Sequence, residues 1–112
     1  MKKIEAVIRP ERLELLKDAL ILAKVNGITI NQVVGCGNQH GWTEHHRGSE
    51  VIMNTIPKVE IKMIVAEERL EEIIAIIIKV AKTGAVGDGK IFISNIEDCI
   101  RIRTGERGNV AI

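Results

Sequence analysis

The chain repeats one short unit, and that repeat limits its folds more than any other feature. Residues 3–9 alternate so that Ile4, Ala6 and Ile8 share one side, and residues 59–65 do the same with Val59, Ile61, Met63 and Val65. Alternation with a period of two marks a strand with one buried face. Each strand is followed by the same tetrapeptide, Glu-Arg-Leu-Glu, at 11–14 and again at 68–71. Pro10 precedes the first copy, and its fixed φ and missing N–H suit a helix start. Apolar positions then recur at helical spacing, as Leu13, Leu16 and Leu20 in the first copy and Leu70, Ile73, Ile74, Ile77 and Ala81 in the second. Asn26-Gly27 and Thr83-Gly84 signal the helix ends, and strands over 28–34 and 90–96 complete the order βαββαβ. Two right-handed βαβ units packed together give an α+β ferredoxin-like sandwich, four antiparallel strands with both helices on one face.

A length of 112 residues fits one domain over 1–112. With a single Phe and a single Trp, the core must be built from β-branched and other aliphatic side chains. Ile76 and Val80 fall off the main stripe of the second helix, and Val7 and Ile64 fall on the strand face opposite the core. Such surplus apolar surface is explained by oligomerisation or by a wider core. Sixteen basic and fifteen acidic side chains leave a charge of +1, so no global field draws the chain to nucleic acid or anionic lipid. The apolar run at 73–78 is too short for membrane insertion, and Glu5 and Arg9 interrupt any signal-peptide core after Lys2-Lys3. A cytoplasmic location follows as the expectation. Cys36 and Cys99 form no CxxC pair and read as reduced structural thiols.

Residues 35–55 show no sustained period and carry glycines, histidines and mixed charges, which reads as a long loop and a candidate partner surface. Residues 84–90, Gly-Ala-Val-Gly-Asp-Gly-Lys, begin like a P-loop but end at Ile91 where a hydroxyl is needed. They also lead from a helix into a strand, the reverse of the P-loop context. Gly84, Gly87 and Gly89 can still aim N–H groups at an anion, and Lys90 adds charge. Arg101 and Arg103, two residues apart, would point the same way in an extended segment and form a fork for phosphate oxygens. Together with Lys90 they favour a phosphate site. His40, His45, His46 and Glu44 raise a metal site, although their spacing matches no standard zinc pattern. Ser49 lacks the surroundings of a hydrolase nucleophile.

Several segments together resemble the PII family of nitrogen-signalling proteins, along the whole chain. They are Lys-Lys-Ile-Glu-Ala-Val-Ile-Arg-Pro at the start, Gly-Cys-Gly-Asn-Gln-His-Gly-Trp-Thr-Glu from Gly35, Arg-Gly-Ser-Glu at 47–50, and Pro57-Lys58. Thr-Gly-Ala-Val-Gly-Asp-Gly-Lys-Ile-Phe and Arg-Ile-Arg-Thr-Gly-Glu, with terminal Ala-Ile, complete the set. The resemblance implies a homotrimer with an adenine-nucleotide pocket, for ATP or ADP, in each cleft between subunits. By position it implies nucleotide contacts at Val7, Thr29, Gly37, Gln39 and Ile64, and at Gly87, Asp88, Gly89 and Lys90. The neighbouring subunit would add Arg101 and Arg103. It further implies 2-oxoglutarate at Gln39, Gly41, Lys58 and Gly87, and Mg2+ held by Gln39 with the nucleotide phosphates. A dianionic keto acid suits the ammonium of Lys58.

Residues 37–54 correspond to the family's T-loop, 83–90 to its phosphate loop and 99–112 to a C-terminal loop. The T-loop implies docking onto a nitrogen-metabolism enzyme, an ammonium transporter or a regulator. Val51 stands where many members carry a nucleotidylated tyrosine, and this chain has no tyrosine, which excludes that switch. Ser49 matches a position phosphorylated in some cyanobacterial members. Asn38 and Lys62 replace an arginine and a glutamate commonly found near the nucleotide. The expected function is therefore a non-enzymatic sensor, since no base and metal constellation for phosphoryl transfer is present. A nucleotide sensor that does not take 2-oxoglutarate and a trimeric metal-handling protein of the same architecture are the alternatives.

Overall fold

The computed structural model describes residues 1–36 and 55–112 in full, with the backbone of Trp42–His46 and Ser49–Met53 between them. In chain order the elements are β1 (Lys2–Ile8), α1 (Leu13–Leu22), β2 (Ile28–Gly35), β3 (Trp42–His46), β4 (Ser49–Met53), β5 (Ile56–Val65), α2 (Leu70–Ala81) and β6 (Gly89–Asn95). Four strands form an antiparallel sheet in the order β2-β5-β1-β6. The two strands of the repeated unit, β1 and β5, are the central ones, as the chain's ferredoxin-like sandwich requires.

Register divides the sheet into two faces. Ile4, Ala6 and Ile8 of β1 lie opposite Met63, Ile61 and Val59 of β5, and all six are buried. Leu16 and Leu20 of α1 and Ile73, Ile77 and Ala81 of α2 close over this face. Ile76 and Val80 pack against the same cluster, so at these two positions the core is wider than the main helical stripe. Val7 and Ile64 do not join it. They lie half-buried on the opposite face of the sheet, where no helix of the described residues covers them.

Two expectations change. The first helix stops at Leu22 rather than running to Asn26-Gly27. Lys24 adopts the left-handed conformation, φ 61°. Its N–H donates to the Ile21 carbonyl (2.9 Å) and that of Val25 donates to Leu20 (3.0 Å). This paired closure is a Schellman stop with lysine in the usual glycine place, and burying Val25 beneath it supplies the apolar seal. The Arg69 guanidinium also donates to the carbonyls of Ala23 and Lys24, tying the end of α1 to the start of α2.

The second change falls within residues 35–55. β3 and β4 form an antiparallel ribbon, with Trp42 opposite Met53 and His46 opposite Ser49. A two-stranded ribbon need not bury one face against a core, so its sequence need not alternate, and the pattern that reveals β1 and β5 is absent here.

Candidate functional site

The uncovered face of the sheet presents its side chains in rungs. Asn31, Glu60, Val7 and Lys90 share one rung; Thr29, Lys62, Glu5 and Phe92 share the next; Ile64, Lys3 and Ser94 share a third. One face thus gathers four expected nucleotide residues, Val7, Thr29, Ile64 and Lys90. Two ion pairs run along it, Lys3 to Glu5 at 2.6 Å and Lys62 to Glu60 at 3.0 Å. The hydrogen bond from Lys3 holds the Glu5 carboxyl below its ordinary range. That between Lys62 and Glu60 raises the lysine. Lys62 therefore fits without an unpaired charge at a position where the resemblance expects a glutamate.

At one end of this face the chain turns sharply between α2 and β6. The turn, residues 83–88, follows a helix and enters a strand, so its context is not that of a P-loop. Gly84, Gly87 and Gly89 all have positive φ, at 91°, 102° and 108°. Gly89 is there for a further reason: a Cβ at this position would sit 1.7 Å from the Val7 carbonyl oxygen. Strand β6 can pair with β1 here only if residue 89 has no side chain.

Asp88 organises the turn. Its carboxylate accepts hydrogen bonds from the Thr83 hydroxyl, from the N–H groups of Thr83 and Gly84 at 2.8 Å, and from Arg9 Nε at 3.0 Å. Led by the bond from the Thr83 hydroxyl, these donors hold the carboxyl well below the usual carboxylate range. Arg9 also donates from Nη2 to the Val86 carbonyl at 2.8 Å. Lys58, 6% exposed, reaches from β5 to donate to the Gly87 carbonyl. Gly35 lets it pass, because a Cβ there would lie 3.2 Å from Lys58 Cγ.

Lys58 and Gly87 are thus in contact, as two members of the expected 2-oxoglutarate set. Gly37, Gln39 and Gly41 lie outside the described residues, and so do the side chains of Ser49, His45 and His46. His40 is outside them as well. Among the described residues no cluster of three His, Cys, Asp or Glu side chains could hold a metal. Cys36 and Cys99 are free thiols. The sequence does not mark Arg9 or Gly35 as site residues. Neither carries a local pattern, and their roles depend on segments at least 20 residues away.

Arg101 and Arg103 do not form the expected fork. Residues 102–104 are a turn, closed by the Gly105 N–H on the Arg101 carbonyl at 2.7 Å with Gly105 at φ 72°. An extended stretch would align the two guanidinium groups, and a turn separates them. Arg101 is engaged with Glu106 at 2.9 Å and with the Val110 carbonyl at 2.9 Å. Nor does one chain bring them to Lys90 as neighbours along the fold. Lys90 lies near the start of β6 opposite Val7, while the segment carrying both arginines leaves the far end of that strand, where the Ile96 N–H donates to the Met1 carbonyl. Six residues of strand span about 20 Å. Among the described residues, no hydrogen bond or ion pair joins the two regions.

A family model described as nitrogen regulatory protein P-II matches residues 1–106. The chain is 48% identical over 112 residues to a nitrogen regulatory protein P-II of Rhizobium meliloti, with all of both sequences covered. Identity and coverage are the same with a nitrogen regulatory protein P-II of Porphyra purpurea. With nitrogen regulatory protein P-II 2 of Methanothermobacter thermautotrophicus it is 46% over 112 residues, covering 97% of that protein.

Proposed function

Because the chain belongs to the nitrogen regulatory protein P-II family, a family of signalling proteins, we propose that it senses ATP or ADP together with 2-oxoglutarate. It passes that state to nitrogen-metabolism proteins through residues 37–54. The observation that carries this reading is Lys58. The residue is buried, its described acceptor is one backbone carbonyl, and among the described residues no carboxylate pairs with it. A buried cation matched only by a neutral oxygen is an incomplete arrangement, and an incoming carboxylate completes it.

In this reading a carboxylate of 2-oxoglutarate takes a second donor of the Lys58 ammonium, which keeps its bond to the Gly87 carbonyl. Nucleotide phosphates lie against the N–H groups around Gly87 and Gly89, with Lys90 adding charge. The base and ribose lie along Val7, Thr29 and Ile64. Mg2+, held through Gln39 and the phosphates, supplies a charge that both anions share. Arg101 and Arg103 come from a second copy, since in one chain they depart from the opposite end of β6. A trimer then makes each site from two subunits. Ligand acts on residues 37–54 by differential affinity for their conformations, because β2 ends at Gly35, in contact with Lys58, and leads directly into that segment.

Titration calorimetry with ATP, ADP, AMP and 2-oxoglutarate, with and without Mg2+, tests the reading. Saturable nucleotide binding, and 2-oxoglutarate binding that requires Mg2+ and ATP, are expected. Absence of heat with every nucleotide overturns it. Binding of nucleotide without 2-oxoglutarate under any condition reduces it to a nucleotide sensor alone.

A further inference from the structure

Two cations on adjacent strands hold successive carbonyls of the glycine turn, and that grip determines where its N–H groups point. Arg9 follows β1 and Lys58 lies in β5, one step beyond the last paired residues Ile8 and Val59. Arg9 donates to the Val86 carbonyl at 2.8 Å, and Lys58 donates to the Gly87 carbonyl. In a trans peptide the C=O and N–H point in opposite directions, and no peptide here is cis. Drawing the carbonyls of residues 86 and 87 toward Arg9 and Lys58 therefore turns the N–H groups of Gly87 and Asp88 away from those side chains. Two successive N–H groups set in this way make an anion-binding concavity.

The turn cannot hold that setting unaided, because Gly84, Gly87 and Gly89 have the widest backbone freedom of any residue. Lys58 secures only one carbonyl. The planar guanidinium of Arg9 secures the other while it also binds Asp88 at 3.0 Å, a two-pronged contact that an ammonium does not reproduce.

We propose that Arg9 is a positioning residue for anion binding at the glycine turn: it fixes the Val86 peptide against Asp88, so that the Gly87 and Asp88 N–H groups are oriented before ligand arrives. This inference rests on the reading that the turn receives the nucleotide phosphates. It makes Arg9 a determinant of phosphate affinity through the turn, with the pairing to Asp88 cancelling its own charge.

The test is ATP titration of the full chain and of R9A, R9Q and the double variant R9A/D88N, each first shown by circular dichroism and light scattering to keep the wild-type fold and assembly. R9A is expected to weaken ATP binding by about tenfold, the effect of losing one charge-assisted hydrogen bond. Guanidinium at tens of millimolar should restore much of the loss in R9A, whereas sodium at the same ionic strength should not. The double variant also removes the carboxylate charge that R9A leaves without its guanidinium partner, so recovery there would assign the loss to charge and not to positioning. Affinity in R9A within twofold of wild type overturns the proposal, and so does recovery of wild-type affinity in R9A/D88N. If R9A does not fold, R9Q, which can engage only one of the two acceptors, is judged by the same limits. Failure of the wild type itself to bind ATP removes the nucleotide reading, a different outcome from equal binding by wild type and variant.

Discussion

At the scale of single residues, the turn between α2 and β6 is decided by a few contacts that are individually testable. Among the described residues Lys58 is buried with one neutral acceptor, so replacing it by Met removes a charge poorly compensated there and leaves the volume nearly unchanged. K58M should therefore show an unchanged or raised Tm by scanning calorimetry while losing 2-oxoglutarate binding. A marked fall in Tm would mean that the ammonium stabilises the fold. Gly89→Ala should cost on the order of 3 kcal/mol in urea denaturation, because the new Cβ meets strand backbone, which cannot yield as a flexible side chain would. Asp88 has a lowered pKa in the folded chain, so its contribution to stability is complete above its ordinary value of 3.8. That contribution is lost as pH falls through the folded pKa. The stability gap between wild type and D88N should accordingly shrink on acidification below pH 3.8, and a gap that widens would contradict the sign.

At the scale of elements, the helices and the paired central strands are legible in the sequence because each must hide one face. The stripes on α1 and α2 and the alternation in β1 and β5 are direct records of that burial. The β3–β4 ribbon leaves no such record, and neither does the Lys24 stop of α1, where a residue of ordinary preference is held left-handed by the bonds around it. The ribbon pairs with itself and not with the four-stranded sheet. Deleting residues 43–52 should therefore leave the sheet, the assembly and nucleotide affinity intact while abolishing capture of partner proteins. A deletion variant that still retains the same partner in pull-down would place the docking surface elsewhere.

At the scale of the whole molecule, the described residues of one chain present a partly apolar, ion-paired sheet face without a covering layer, and a glycine turn remote along the fold from Arg101 and Arg103. In the proposed homotrimer a neighbouring copy supplies both the cover and the cations. Light scattering at micromolar concentration should give three times the 12.4 kDa chain mass, and dilution to subunits should abolish nucleotide binding in the same concentration range. A monomer that binds ATP with full affinity would contradict the shared site. By itself the sequence determined the repeated βαβ unit, the sandwich it folds into and the rejection of a P-loop, since each follows from burial periodicity and element order within short windows. The cation grip on the turn, the carbonyl approach that requires Gly89 and the burial of Lys58 were decided only by the tertiary structure. Each joins residues from strands far apart in the chain, and no local spacing encodes which side chain will meet which backbone atom once the sheet has closed.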